Sequence, residues 1–167
     1  HNFSEIQNKD ININDYVYVK RAGDVIPDID RVDLKKRKNI IKISIPKKCP
    51  SCRSMLTKID NQIALKCLNN KNCIPQIEGA IIHFISRKAM NIIGIGDQTI
   101  RELVEKRIIQ RTADLYNLKE KDFNKLERVG KKSIQNYLKS INDSKKVVFS
   151  KFIYSLGIKE VGESSSK

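Results

Sequence analysis

Four thiols within 25 residues are the grouping in this sequence whose types and spacing could do chemistry. They are Cys49, Cys52, Cys67 and Cys73, arranged as Cys-x2-Cys, fourteen residues, then Cys-x5-Cys. Two thiolates three residues apart reach one ion from a single tight turn. A second pair brought back by a short hairpin completes a tetrahedron with sulfur–metal bonds of about 2.3 Å. Four sulfur ligands leave no coordination position for water or substrate, so the spacing predicts a structural zinc ion. Two disulfides are the competing reading, but they need an oxidising compartment, and nothing in the sequence reads as a signal peptide or a disulfide-dense secreted scaffold. A redox Cys-x-x-Cys needs only one pair and a βαβ setting that the pattern lacks.

The segments that must carry these ligands are short. Met55–Ile59 and Ile63–Lys66 suit the two arms of a hairpin, with a polar turn at Asp60-Asn-Gln62. Pro50 stiffens the first cysteine turn, and Asn69, Asn70 and Asn72 are expected to supply the unusual backbone angles of the second. Ahead of the cluster, Asp15-Tyr-Val-Tyr-Val-Lys20 alternates and is β-branched and aromatic, as a strand should be. Val25–Pro27, Asp30–Leu34 and Asn39–Ile45 extend this to three or four short strands, closed by Pro46. Forty-six residues do not close a barrel over a core of their own, so residues 1–46 are expected to be part of a β-barrel. Between the strands, Lys35-Lys-Arg-Lys38 reads as a solvated basic turn, with specific phosphate contact the competing reading.

Behind the cluster the hydrophobic period lengthens. Ile81, Ile82, Ile85 and Ala89 form one helical stripe, followed by Ile92-Ile-Gly94-Ile-Gly96 and a second stripe at Ile100, Leu103, Val104 and Ile108. Leu126-Glu-Arg-Val-Gly130 leads in the same way into Ile134, Tyr137, Leu138 and Ile141. Leu156-Gly157-Ile-Lys-Glu-Val161-Gly162 begins a third copy. The unit is helix, glycine-bearing hairpin, helix. A glycine there permits positive φ and leaves no side chain between the peptide N–H groups and a ligand. The next helix starts at the same point with unpaired N–H groups and the positive end of its dipole, which suits phosphate and reads no base. Gly94, Gly96, Gly130, Gly157 and Gly162 are therefore candidate backbone contacts to a duplex, with Arg87, Lys88, Lys131, Lys132, Lys145 and Lys146 as flanking cations. Gly94-x-Gly96 is no dinucleotide fingerprint, because no strand precedes it and Thr99 stands where a third glycine belongs. His83, alone on a predicted helix, is expected to be a packed or capping side chain.

Composition agrees with a polyanionic partner. The formal net charge is +14. Residues 1–46 hold nine basic and seven acidic side chains, 47–77 six and one, and 78–167 eighteen and eleven, so the excess lies from the cysteines onward. Tryptophan is absent and aromatics make up 6%, which disfavours a reader that stacks single-stranded bases. No apolar run approaches the roughly 20 residues of a membrane span, and a soluble intracellular chain is expected.

Arg21-Ala-Gly-Asp-Val-Ile-Pro27, the cysteine quartet, Ile82–Met90 and Phe152–Ile158 resemble, in order, successive stretches of bacterial NAD-dependent DNA ligases. The resemblance implies a multidomain α+β fold. Its parts would be the carboxy-terminal part of an OB-type barrel (1–46), a four-cysteine zinc finger (47–77) and a truncated helix–hairpin–helix domain (78–167). It implies zinc on Cys49, Cys52, Cys67 and Cys73, hairpin glycines at 94, 96, 130, 157 and 162, and a DNA-facing barrel loop at Arg21. For the parent enzyme it implies NAD, magnesium, a nicked double-stranded DNA substrate bound without regard to sequence, a monomer, and a cytoplasmic, nucleoid-associated location. The family's adenylated lysine lies in a Lys-x-Asp-Gly motif that this sequence does not contain; Lys58-Ile-Asp60-Asn61 lacks the glycine. The fourth hairpin and carboxy-terminal domain of the family are likewise absent from it. A non-ligase zinc scaffold or repair subunit that binds nucleic acid is the alternative reading.

Overall fold

The computed structural model describes residues 3–23, 26–58 and 64–166, with Ala22 in its backbone only. The expected strand start at Val25, the turn at Asp60–Gln62 and the arm residues Ile59 and Ile63 fall outside the described residues. The fold is mixed α and β, and its contacts gather into two compact units divided at Leu68/Asn69. The division expected from the sequence has its cuts after residues 46 and 77.

In the first unit a short helix, α1 (Phe3–Asn8), precedes an antiparallel pair, β1 (Val17–Ala22) and β2 (Ile26–Val32). The register runs from Val17 opposite Val32 and Tyr18 opposite Arg31 to Val19 opposite Ile29, so Asp30 is the extra residue of a bulge. The expected strand over Asp30–Leu34 stops at Val32. Asp33 then accepts the Lys35 N–H and caps a 3-10 turn over Leu34–Lys36. Asn39–Ile45, also expected as a strand, enters no ladder among the described residues, and its one β-bridge is that of Ile41 to Ile13.

Polar contacts do much of the holding here, since Cys49 is the one buried apolar side chain among the described residues of this unit. The Arg37 guanidinium is forked against both oxygens of Asp15, at 2.7 and 2.8 Å, and also reaches the Asp10 carboxylate and carbonyl. Arg37 is therefore a structural member of the basic run. Lys9 similarly ties α1 to β2 through Asp28 at 3.3 Å and the Ile29 carbonyl. Two further strands, β3 (Leu56–Lys58) and β4 (Leu65–Cys67), pair antiparallel with Leu56 opposite Cys67.

The second unit is helical: α2 (Ile74–Ile85), α3 (Asp97–Glu105), a 3-10 segment Thr112–Asn117, α4 (Glu120–Phe123), α5 (Lys131–Asp143) and α6 (Phe149–Ser155). One core joins the stripes expected from the sequence through Ile81 and Ile85 of α2, Ile100, Leu103 and Val104 of α3, and Ile134 and Ile141 of α5. Ile77 and Phe84 of α2 join it without having been expected, and Ile82, Ile108, Tyr137 and Leu138 are only partly buried against it. Phe123 and Leu115, both fully buried, fill the space between. No helix of the described residues is long and apolar enough to cross a membrane.

Candidate metal centre and glycine turns

The first cysteine pair sits in a tight turn. Lys48 bridges Met55, the Cys49 N–H donates to the Ser54 carbonyl at 2.8 Å, and the Arg53 N–H donates to the Cys49 carbonyl at 2.9 Å. Closing that loop puts Arg53 at φ +62°, a left-handed angle that favours glycine. The expectation that Asn69, Asn70 and Asn72 supply such angles is not met: none of them has positive φ, and Arg53 in the other turn does. The physical reason is the second pair's setting. Cys67 ends a regular strand, and Cys73 caps α2 with its carbonyl accepting the Gln76 and Ile77 N–H groups at 2.9 and 3.0 Å. Pro75 follows in the first helical turn, where a missing N–H costs nothing.

The four sulfurs lie within 4.8 Å of one another, and Cys52 and Cys67 are 3.5 Å apart. A tetrahedron of zinc–sulfur bonds has edges of about 3.8 Å, so the cluster fits such an ion with small adjustments. No disulfide joins any of the four, and Cys49 and Cys73 are buried while Cys52 and Cys67 are half-buried. Hydrogen bonds from the Ser54 hydroxyl and backbone hold the Cys52 thiol down at about 6, with lesser help from Cys67 and Cys49. That favours the thiolate a metal requires.

The glycine turns repeat with matched geometry. Gly96 (φ −85°, ψ 165°) caps α3 and accepts the Ile100 N–H at 3.2 Å; Gly130 (φ −81°, ψ 158°) caps α5 and accepts the Ile134 N–H at 3.1 Å. Gly162 accepts the Ser166 N–H at 3.1 Å in the same i to i+4 pattern. Two residues before each glycine the chain turns left-handed, at Gly94 (φ +95°), Arg128 (φ +61°) and Glu160 (φ +67°). Positive φ thus explains Gly94 and Gly157 (φ +62°), but not the capping glycines. A Cβ on Gly96, Gly130 or Gly162 would meet nothing within 4 Å. Nothing inside the described chain requires glycine at those three places.

The flanking residues differ from turn to turn. Lys131 and Lys132 lie exposed immediately after Gly130, whereas Asp97 follows Gly96. Arg87 and Lys88 are exposed after α2, and Lys88 pairs with Glu163 at 3.1 Å, which raises the lysine above its ordinary range. Lys145 lies over the Tyr116 ring at 6.0 Å from its centroid. Arg21 is exposed on β1 opposite Pro27. His83 is packed as expected, with its Nε2 2.9 Å from the Tyr154 carbonyl and its ring 3.5 Å from where a Cβ on Gly157 would lie.

Sequence reading missed the tethers of the turns. The Ile93 N–H donates to Ser140 Oγ on α5 at 2.7 Å, and the Glu127 N–H donates to Glu102 Oε1 on α3 at 2.9 Å. Lys106 pairs with Glu102 at 3.1 Å and donates to the Lys125 carbonyl at 2.8 Å. The Glu127 amide, and then Lys106, hold the Glu102 carboxyl below its ordinary range.

Residues 1–40 match the family model for the NAD-dependent DNA ligase OB-fold domain. The whole chain is 43% identical to a protein named DNA ligase from Rickettsia prowazekii (strain Madrid E). It is 44% and 45% identical to proteins of that name from Hahella chejuensis (strain KCTC 2396) and Geotalea uraniireducens (strain Rf4). In each case 100% of this chain is covered and 25% of the relative, so the chain spans about a quarter of the length of the curated relatives it matches. A likeness that covers the whole of this chain, with the barrel-domain match at its start, fits a portion of a bacterial NAD-dependent DNA ligase.

Proposed function

We propose that this chain is the duplex-gripping portion of an NAD-dependent DNA ligase, an enzyme that seals nicks by joining a 3′-hydroxyl to a 5′-phosphate through enzyme- and DNA-adenylate intermediates in replication and repair. Adenylation would fall to the parent's remaining sequence, together with NAD and magnesium, because the described sites here offer no adenylatable lysine motif. Residues 1–46 serve as the end of an OB barrel, 47–77 as the zinc finger and 78–167 as helix–hairpin–helix repeats. A zinc ion held by Cys49, Cys52, Cys67 and Cys73 supplies folding free energy to a segment with little core and takes no part in bond making.

The repeats bind by backbone. Phosphate oxygens accept from the N–H groups that open α3, α5 and the turn after Gly162, with the dipole's positive end behind them. Glycine at 96, 130 and 162 lets the sugar–phosphate chain come close, and Gly94 and Gly157 shape the turns. Arg21, Arg87, Lys88, Lys131 and Lys132 add longer-range attraction, and Lys88 exchanges Glu163 for a phosphate when it does so. These contacts touch no base edge, so grip is independent of sequence. Their service to the reaction is orientation: a duplex held rigidly on both sides of a nick keeps the attacking hydroxyl in line with the adenylated phosphate. The location is the cytoplasm, and the unit acts as a monomer.

The observation that carries this reading is the recurrence of a glycine-capped helix start with open space over the glycine. Titrating the chain against a nicked duplex across salt concentrations tests it. The logarithm of affinity should fall with the logarithm of salt at about 0.9 per phosphate engaged, equally for unrelated sequences. A flat response would overturn it.

A further inference from the structure

The first two glycine turns are fastened to each other's helices in a matching way. Ile93 and Glu127 each lie three residues before a capping glycine, and each spends its N–H on a side chain of the opposite repeat, Ser140 on α5 and Glu102 on α3. Lys106, one helical turn beyond Glu102, holds the Lys125 carbonyl while pairing with the glutamate. The backbone of residues 125–127 is thereby clipped at both ends by two side chains that also bind each other. Buried Ile92, Ile95 and Leu126 anchor the turns in the core. Apolar contact is non-directional, however, and leaves a turn free to rock about its anchor. A hydrogen bond to a fixed acceptor is directional and stops that rocking.

We propose that Glu102, backed by Lys106, and Ser140 are positioning residues that aim the outward amides of the two turns at duplex phosphates. The inference rests on the duplex-gripping reading above and adds to it the side chains that set the aim. Neither touches the nucleic acid. Each acts by committing one amide inward, so that the amides from Gly94 to Asp97 and from Arg128 to Lys131 present a fixed direction.

The test compares Glu102→Ala with Glu102→Gln, and Ser140→Ala with Ser140→Thr, in the whole 167-residue chain. Glutamine and threonine keep an oxygen acceptor; alanine does not. Nicked-duplex affinity is measured over a salt series, alongside hydrogen exchange of the Ile93 and Glu127 amides without DNA. Each alanine variant should speed exchange at its own tether and weaken binding about tenfold, as expected for the loss of one charge-assisted contact. Its salt slope should be shallower by about 0.9, and the conservative variants should restore both. A smaller folded fraction lowers apparent affinity but leaves the slope unchanged, so a loss without a slope change overturns the inference, as does wild-type binding in both alanine variants. Absence of duplex binding by the unmodified chain at low salt is a different result, and it removes the function proposal itself.

Discussion

Replacing Gly130 with aspartate should move stability and DNA affinity in opposite directions. Residue 130 has φ −81° and ψ 158°, angles any residue adopts, and a Cβ there meets nothing within 4 Å, so the substitution carries no steric cost. At a helix N-cap aspartate exceeds glycine by a few tenths of a kcal/mol. Its charge at the positive end of the dipole adds about 0.3–1 kcal/mol. The chain should therefore be more stable by about 0.5–1 kcal/mol, a rise of a few degrees in Tm. The same carboxylate accepts from the N–H groups of Lys132 or Ser133, the donors a phosphate would need. Loss of one charge-assisted hydrogen bond costs about 1.5–3 kcal/mol, which is tenfold or more in Kd. The salt slope should fall by about 0.9. Gly130→Asn, an equal cap without charge, should show the stability gain and a smaller loss of affinity. Calorimetry and fluorescence anisotropy with a labelled nicked duplex give both quantities. A stabilised Gly130→Asp chain that binds as tightly as the parent would refute the placing of this helix start against DNA.

Other substitutions probe the remaining features. Arg53→Gly should tighten zinc retention, because relief of a left-handed non-glycine residue is worth about 1–2 kcal/mol against a chain-entropy cost of about 0.5–1; competition with a chromophoric chelator measures it. Cys52→Ser should lose bound zinc and the circular-dichroism signal of residues 47–77, and unchanged metal content by mass spectrometry would count against the tetrathiolate site. Asp10 and Asp15 are held below their usual range, chiefly by hydrogen bonds from Arg37. A depressed carboxyl stabilises above its unfolded value, about 3.9, and the gain is lost as pH falls through the lower folded value. Protection of the amides in residues 3–23 and 26–48, taken against intrinsic exchange at each pH, should thus fall below about pH 4, and Arg37→Met should abolish that step.

The sequence made the cysteine set legible because spacing alone dictates which thiols can share an ion. The helical stripes were legible because Ile100, Leu103 and Val104, or Ile134 and Ile141, bury at the period a helix imposes. Other features depend on what lies beside a segment, and no local pattern carries that. Asn39–Ile45 alternates as a strand does, yet among the described residues its one β-bridge is that of Ile41 to Ile13. The left-handed Arg53 follows from closing the Cys49 turn, and its side chain gives no warning of it. Ser140 and Glu102 look like ordinary exposed-face residues of amphipathic helices; only the approach of the opposite turn makes them acceptors. The resemblance to ligases located the glycines but left open what each one does.

That question separates the glycines into two kinds. Gly94 and Gly157 have left-handed angles, and each has an aromatic or imidazole ring within van der Waals range of where a Cβ would be, so folding alone accounts for them. Gly96, Gly130 and Gly162 have neither constraint. A glycine that leaves its own chain without benefit sacrifices about 0.5–1 kcal/mol of backbone entropy, and at an N-cap serine, asparagine or aspartate would do better. Two such losses at the starts of α3 and α5, and a third at the turn after Gly162, fit the proposed approach of something outside the chain that comes closer than a side chain permits. A sugar–phosphate backbone meets that description, being anionic, repetitive and bulky. Were serine accepted at all three positions with binding undiminished, the open space would have no occupant to explain it.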